Sequence, residues 1–182
     1  ALICERNQLS VPKLIGYNSA GNFYWNKIKI TVQSNSELVA FFHTVFSKFN
    51  ISKIFIKSIE GKGGSGIYLL YKNNLEQQLN SIGPSILIGT HIFQEYIEQH
   101  SDINKIYDKS INSLRIDVCT DENDIPHLLG SVMRFGQGGN QIDNRSKGGF
   151  CVSIDDRTGR LMKKGFTQMA KGGVEYYKHP DS

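Results

Sequence analysis

The feature that most restricts the fold of this chain is a glycine-dense turn between two short apolar segments. Residues 53–58 and 67–71 are predicted to be strands, and four glycines stand among the six residues 61–66 between them. Each glycine loses more backbone entropy on folding than other residues do, so four of them are costly in an ordinary turn. The segment is therefore predicted to be an antiparallel hairpin whose tip has a function. The alternative is a plain hairpin with a mobile tip.

Three of these glycines, Gly61, Gly63 and Gly66, match the GxGxxG spacing of dinucleotide-binding domains. That fingerprint requires a helix after the loop, with its N-terminus facing the pyrophosphate, whereas a strand is predicted here. A glycine hairpin can still bind phosphate, because successive backbone N–H groups form an anion-binding concavity. Lys57, on the strand before the loop, would bring an ammonium group to the same phosphates. Protein kinases differ, because their lysine lies on a later strand.

The rest of the chain is predicted to contain more strands than helices. An amphipathic helix follows Ser34, with apolar residues at helical spacing over residues 38–49, and shorter helical segments are predicted at residues 1–8 and 75–79. Further strands are predicted at residues 14–17, 25–30, 86–88, 92–96, 114–119, 127–135, 150–154 and 160–169. Because many of these strands are consecutive, the predicted class is α+β with mainly antiparallel sheets.

Composition disfavours several classes of function. The net charge is +4 and the 21 Lys and Arg residues are scattered, so no nucleic-acid partner is expected. The three cysteines form no CxxC pair, which argues against a disulfide framework or a zinc site and favours a reducing compartment. No apolar run reaches the roughly 18 residues that span a bilayer, and residues 1–6 do not resemble a signal peptide. A cytoplasmic protein of unspecified oligomeric state is expected.

Five stretches of the chain resemble conserved segments of ATP-grasp enzymes, in the same order along the chain. They are Phe55 to Gly66 (lysine and glycine flap), Phe93 to Glu98 (hinge), Asn112 to Ile116 (a strand with N-[ST]-x-R), Met133 to Gly139, and Ile142 to Gly149. Together they look most like the sugar-transfer-associated ATP-grasp family, over roughly residues 1–181. The resemblance implies an ATP-grasp fold of two lobes: a small lobe at residues 1–95 with the glycine flap, and the N-terminal part of an incomplete large lobe at residues 96–182.

The resemblance also implies roles in nucleotide binding for eight positions: Lys57, Gly63, Gly64, Gly66, Glu95, Tyr96, Ile97 and Glu98. The lysine would neutralise the α- and β-phosphates of ATP, and the three glycines would close over the triphosphate. The backbone of residues 95–97 would contact adenine. The acid that follows would bind the ribose hydroxyls, or alternatively is simply solvated.

Three further positions are implied to act on the reacting groups. Arg115 would stabilise the transferred phosphoryl group or an acyl phosphate, with an ordinary strand-end cation as the alternative. Arg134 and Asn144 would line the acceptor side or contact the γ-phosphate, and the alternative for Asp143 and Asn144 is a turn pair. The acidic turn at residues 121–124 lacks the spacing of a calcium loop and is expected to be solvated.

The implied function is that of the ATP-binding portion of a carboxylate–amine or related ligase that acts through an acyl phosphate. Its cofactors would be ATP and Mg²⁺, and its partner a small carboxylate or a sugar-linked acceptor in polysaccharide or sugar-conjugate biosynthesis. In the family an early lysine would precede Ala1 and the metal ligands would follow Ser182, so ligase activity is expected only if a longer chain supplies them. The alternatives are a non-catalytic nucleotide-binding module and an interaction domain.

Overall fold

The computed structural model divides the chain into two compact units, Ala1–Ile97 and Glu98–Ser182. It describes residues 2–61 and 66–182, except for the side chains of residues 2, 5 and 171. Each unit contains one antiparallel sheet, in agreement with the predicted α+β class. The assignment of the units to the lobes of an ATP-grasp fold stays a prediction.

The first unit contains a six-stranded sheet with the strand order β3-β2-β1-β6-β4-β5. Its elements are α1 (Leu2–Arg6), β1 (Leu14–Ser19), β2 (Asn22–Trp25), β3 (Ile28–Thr31), α2 (Asn35–Phe49), β4 (Lys53–Ser58), β5 (Ile67–Tyr71), α3 (Leu75–Ile88) and β6 (Thr90–Glu95). A 3₁₀ turn at Lys72–Asn74 leads into α3. The predicted glycine hairpin is confirmed, since β4 and β5 pair antiparallel.

The core of the first unit lies on one face of this sheet. Ile54 and Ile56 of β4 are fully buried in one cluster with Phe42 and Phe46 of α2, whereas the residues between and beside these two isoleucines are half-buried. Successive side chains of a strand point to opposite faces. The helices therefore cover the isoleucine face, and the opposite face of β4 carries the remaining side chains.

Helix α2 follows the prediction closely. Ser34 is extended, and its side chain accepts a hydrogen bond from the backbone N–H of Glu37, which satisfies one of the unpaired donors of the first turn. The helix ends at Asn50, whose φ of 52° is left-handed. Asparagine tolerates this conformation better than most residues do.

Two predicted strands are wrong. Residues 86–88 belong to α3, which continues through Pro84 because Leu79, Gly83 and Ile86 all face the core at helical spacing. An added Cβ at Gly83 would clash with the Asn35 side chain, so the glycine permits close packing of α2 and α3 instead of marking a break. Burial along the whole helix outweighs the hydrogen bond that a proline removes.

The second error is the single strand predicted at residues 25–30. Asn26 and Lys27 have positive φ angles of 50° and 66°, and the chain reverses there between β2 and β3. Two successive left-handed residues are typical of the tight turns whose twist matches a hairpin. A lysine in that conformation is uncommon, which is why the sequence did not indicate the turn.

The second unit contains a five-stranded sheet with the order β11-β10-β9-β8-β7. Its elements are α4 (Ser101–Asn104), β7 (Leu114–Thr120), β8 (Pro126–Phe135), β9 (Phe150–Asp155), β10 (Arg160–Phe166) and β11 (Glu175–Tyr176), with 3₁₀ turns at Arg145–Lys147 and Met169–Lys171. Phe135 and Phe150 stack at 5.5 Å, and the buried His179 ring stacks on Tyr107 at 4.9 Å. This aromatic group forms the small core of the unit.

A buried asparagine joins three elements of the first unit. The Nδ2 group of Asn18 lies 2.7 Å from the carbonyl oxygen of Ile86 and 3.0 Å from that of Gly89, at the end of α3. Its Oδ1 accepts a hydrogen bond from the backbone N–H of His91 on β6 at 3.1 Å. The last carbonyls of a helix lack partners within the helix. Asn18 therefore caps carbonyl groups at the C-terminal end of α3, in addition to the C-cap residue Gly89, whose N–H donates to the carbonyl oxygen of Ser85.

Replacing Asn18 with alanine is expected to lower the free energy of unfolding of the first unit by about 2–4 kcal/mol, because each buried polar group left unpaired costs about 1–3 kcal/mol. The single tryptophan, Trp25, lies in this unit, so its fluorescence during urea denaturation reports the loss. Asn74→Ala is the control, since Asn74 is exposed and its side chain makes no capping bond at the start of α3. Equal losses in the two variants would contradict the capping role.

His91 is a buried titratable group beside this cap. The side chain is 3% exposed, and its Nδ1 has no hydrogen-bond partner among the residues that the structure describes. Burial lowers the pKa of His91, and the nearby Glu60 carboxylate opposes that change only in part. The imidazole is therefore neutral in the folded chain at a pH where an unfolded histidine is already protonated.

The first unit is accordingly expected to lose stability as the pH falls below about 6.5, the ordinary pKa of histidine. In that range the unfolded state binds one proton more than the folded state does. The free energy of unfolding therefore changes with pH by at most about 1.4 kcal/mol per pH unit. Urea denaturation between pH 5.5 and 7.5 measures the slope. His91→Phe removes it, whereas substitution of the exposed His43 by glutamine leaves it in place. Persistence of the slope in His91→Phe would assign the proton to another group.

Candidate functional site

The register of the first sheet determines where Lys57 lies. It is paired with Ile92 of β6 and with Ile67 of β5. Directly paired residues share a face of the sheet, and Phe55, two residues earlier, is paired with Gln94 on that same face. Lys57 therefore projects from the face that α2 and α3 do not cover. Its side chain is half-buried, and no carboxylate of the described residues forms an ion pair with it.

Gly66 closes the hairpin that follows Lys57. The backbone N–H of Ser58 donates to the carbonyl oxygen of Gly66 at 2.8 Å. Gly66 has a φ of +70°, and an added Cβ would lie 2.7 Å from the Cβ of Ser58, so glycine is required here on two counts. The other two predicted flap glycines, Gly63 and Gly64, lie outside the described residues. The role of all three over a phosphate chain stays a prediction.

The predicted hinge, residues 93–98, begins within the last residues of β6 and continues past its end. The Glu95 carboxylate accepts a hydrogen bond from the backbone N–H of Lys13 at 2.9 Å, so this side chain anchors the segment before β1. The Lys53 ammonium lies 4.5 Å from the ring centre of Tyr96, a cation–π contact that fixes the ring. Ile97 is 48% exposed. These contacts hold the side chains of Glu95 and Tyr96 within the first unit. The predicted contact of the hinge backbone with adenine stays a prediction.

Glu98 is the first residue of the second unit, and its side chain is exposed. The structure gives it no hydrogen-bond partner among the described residues. Its predicted contact with ribose and its alternative as a solvated acid therefore both stay open.

The second unit has a cavity of about 450 Å³ on one face of its sheet. The strands β7, β8 and β9 form its floor, because Arg115 is paired with Val132 and Arg134 with Cys151. The loop before β9 and the segment after β10 form its walls. The lining residues are Arg115, Asp117, Val132, Arg134, Asn144, Arg145, Ser146, Cys151 and Gln168. All three residues assigned to the reacting groups are thus brought together here.

Arg134 is held by a serine and a buried carboxylate. Its guanidinium donates to Ser113 Oγ, with Nε at 3.0 Å, and lies 3.4 Å from Asp143 Oδ2. The same carboxylate oxygen accepts from the backbone N–H of Ser113 at 2.9 Å and from its hydroxyl group. Asp143 is 9% exposed. This network ties the loop that carries Asp143 to the strand that carries Arg134.

Arg115 is held more loosely. Its Nε and Nη2 atoms each lie 3.0 Å from Asp117 Oδ1, but the two side chains are 60% and 54% exposed. Exposed ion pairs contribute at most about 1 kcal/mol, so Arg115 can leave Asp117 for another anion at little cost.

Asn144 takes part in a turn at the wall of the cavity. Its Oδ1 accepts from the N–H and the hydroxyl group of Ser146, both at 3.0 Å, which starts the 3₁₀ turn Arg145–Lys147. The turn-pair alternative describes this contact. Because Asn144 also lines the cavity, a binding role for its amide group stays a prediction.

Among the residues around the cavity that were not predicted as site residues are Ser113, Arg145 and Gln168. Ser113 stands in the N-[ST]-x-R stretch and positions Arg134, so the motif itself indicated it. Arg145 and Gln168 come from irregular segments, for which no periodicity indicates direction. The side-chain oxygen of Gln168 is buried without a partner among the described residues.

The asparagine of that stretch has a structural role. Asn112 donates to the carbonyl oxygen of Tyr107 at 2.7 Å and accepts from the backbone N–H of Gly136 at 3.1 Å. Its own N–H and its amide group both contact Gln99 Oε1. It fixes the loop before β7 against the end of β8, and so fixes the start of the strand that carries Arg115.

The described residues contain neither a candidate metal site nor a candidate membrane-spanning helix. No group of three or more His, Cys, Asp or Glu side chains within residues 2–61 and 66–182 is arranged to hold a metal ion. In the same part of the chain, no helix has the length and apolar character needed to cross a membrane.

Asp143→Asn is expected to destabilise the second unit by about 1.5–3 kcal/mol, because hydrogen bonds to a charged group contribute that much. Amide hydrogen exchange in β7 and β8 measures the change locally. Asp117→Asn is the matched control, since it removes the same charge from the same cavity at an exposed ion pair and should cost less than about 1 kcal/mol. Similar protection factors in the two variants would show that the Asp143 network does not hold the site.

Comparison with known families gives one match that covers the whole chain. The model of a family described as sugar-transfer associated ATP-grasp matches residues 1–182. Comparisons with curated proteins and with solved structures give no significant match.

Proposed function

Because the chain belongs to the sugar-transfer associated ATP-grasp family, we propose that its first unit binds ATP and that its second unit contributes the cations that act on the reacting groups. The observation that carries this proposal is the position of Lys57, on the sheet face opposite the core and directly before the glycine hairpin. An ammonium group that is half-buried and has no carboxylate partner among the described residues is suited to an anionic ligand.

The same face offers an apolar surface for a nucleobase. Phe55, Leu69 and Ile92 lie on it in adjacent strands, and each is half-buried. Nucleotide pockets combine such surfaces with a few polar groups that fix orientation. In this proposal the backbone of residues 95–97 contacts the adenine edge, while Lys57 and the flap glycines bind the phosphates.

The proposed reaction is ATP-dependent ligation of a carboxylate. A carboxylate oxygen attacks the γ-phosphorus of ATP and ADP leaves, which gives an acyl phosphate. An amine or another nucleophile then attacks the acyl carbon, and inorganic phosphate leaves. Phosphoryl transfer depends mainly on positioning and on neutralising charge. Arg115 and Arg134 are the residues we assign to that neutralisation, and Arg134 is already fixed in place by Ser113 and Asp143.

The acceptor in this proposal is a small carboxylate or a sugar-linked group, and the association of the family with sugar transfer supports the second of these. Mg²⁺ is the expected companion of ATP, but the described residues contain no side-chain cluster that fits it. The proposed steps therefore involve only side chains of this chain. The proposal includes a cytoplasmic location, with which the three free cysteines agree.

ADP or ATP with magnesium, at about 100 times its dissociation constant, is expected to stabilise the chain by about 2.7 kcal/mol. For a chain of this size that raises the melting temperature by roughly 5–10 °C. Lys57→Met should abolish the shift, since the methylene stem remains but the charge is lost. Differential scanning fluorimetry measures both.

Lys72→Met is the matched control, because Lys72 is exposed in the 3₁₀ turn before α3. It should keep the full shift. A shift that survives in Lys57→Met would remove Lys57 from the phosphate site, and no shift in any variant, with the chain still folded, would contradict ATP binding by these residues.

A further inference from the structure

Three arginines line the cavity of the second unit, and they differ in their charged partners. Arg115 is paired with Asp117, and Arg134 is paired with Asp143. For Arg145, no carboxylate of the described residues lies within ion-pair distance. Its contact is with a thiol: Nη1 donates to Cys151 Sγ at 3.5 Å. Among the cavity guanidinium groups of the described residues, Arg145 is therefore the one whose charge is not neutralised.

The position of the Arg145 side chain is informative. Arg145 is exposed, yet its guanidinium does not extend only into solvent: it reaches Cys151, which is 9% exposed and lines the same cavity. The contact with the thiol is weak and does not compensate a positive charge. An incoming oxyanion would provide the partner that the site lacks.

The turn that carries Arg145 is anchored at both ends. Asn144 starts it through the bond to Ser146, and the preceding Asp143 is fixed to Ser113. Gly148 ends it with a φ of 99°, and at Gly149 an added Cβ would lie 2.6 Å from the Asp143 carbonyl oxygen. The backbone therefore presents Arg145 at a defined place beside Arg115 and Arg134. Such preorganisation reduces the entropy lost when a ligand binds.

We propose that Arg145 binds a carboxylate or phosphate group of the acceptor, separate from ATP, and thereby selects an anionic acceptor. That the bound anion belongs to the acceptor rests on the proposed function. A planar guanidinium fork matches the geometry of both oxyanions and binds them through two parallel hydrogen bonds. The three guanidinium groups in the cavity repel one another. Because Arg145 is the one without a carboxylate partner among the described residues, an anionic group lowers the energy of the site most when it binds there.

The test is a titration with inorganic phosphate and, in a separate arm, with malonate, followed through the side-chain Nε–Hε signals of the arginines by NMR. Arg145→Gln should weaken binding of at least one of these anions by about tenfold or more, as expected for the loss of a charged hydrogen bond. Arg145→Lys should retain part of the affinity, because the charge remains while the fork is lost. The arm with the larger loss identifies the group as phosphate or carboxylate.

Lys147→Gln is the matched control, since it removes the same charge from the same turn but does not line the cavity. It should change the affinity less than about twofold, as expected for a screened surface charge. Equal weakening in Lys147→Gln and Arg145→Gln, or none in Arg145→Gln, would overturn the proposal.

A further measurement separates acceptor from nucleotide. Arg145→Gln should leave the dissociation constant of a non-hydrolysable ATP analogue within about twofold of the parent value, and a tenfold loss would reassign the anion to the γ-phosphate and overturn the acceptor assignment. If the parent chain binds phosphate through Arg145 but binds no nucleotide, the proposed function is contradicted. The anion site at Arg145 would still be supported.

Discussion

The structure of the first unit depends on burial of one face of its sheet against α2 and α3. Ile54, Ile56 and Phe93 are fully buried there with the aromatic side chains of α2. Burying an apolar side chain of this size stabilises the fold by about 1.5–3 kcal/mol, so the pairing register cannot slip by one residue without exposing the whole set. The same constraint places Lys57 on the other face. The lysine that we assign to phosphate binding is therefore positioned by the packing of its neighbours in the strand.

In the second unit the main constraint is electrostatic, because several arginines lie close together in one cavity. Its sheet supplies Arg115 and Arg134, and carboxylates at Asp117 and Asp143 pair with them. The side chains of the Arg134–Asp143 pair are 31% and 12% exposed, whereas those of the Arg115–Asp117 pair are 60% and 54% exposed. Arg145 adds a charge that has no carboxylate partner among the described residues, and this charge is the basis of the anion site that we propose.

Much of the fold could be predicted from local patterns. The helix after Ser34, the paired strands β4 and β5, and the strands β7 to β10 followed from periodicity, capping and turn residues, and the structure confirms them, although β10 ends at Phe166 rather than at residue 169. Strand β11 was not predicted. The errors occurred where tertiary contacts override local preference. Helix α3 continues through Pro84 because its apolar residues are buried along its whole length, and β2 separates from β3 because Lys27 adopts a left-handed conformation.

The sequence by itself determined the family, the α+β class and the stretches that hold Lys57, Arg115, Arg134 and Asn144, because motifs and alternation are local properties of the chain. The tertiary structure alone decided which partners hold these residues. Asp143 contacts Ser113 across 30 positions, and Arg145 reaches Cys151 through a loop that has no periodicity. Such contacts depend on strand register and on how a loop folds back, and neither is encoded in the spacing of residue types along the chain.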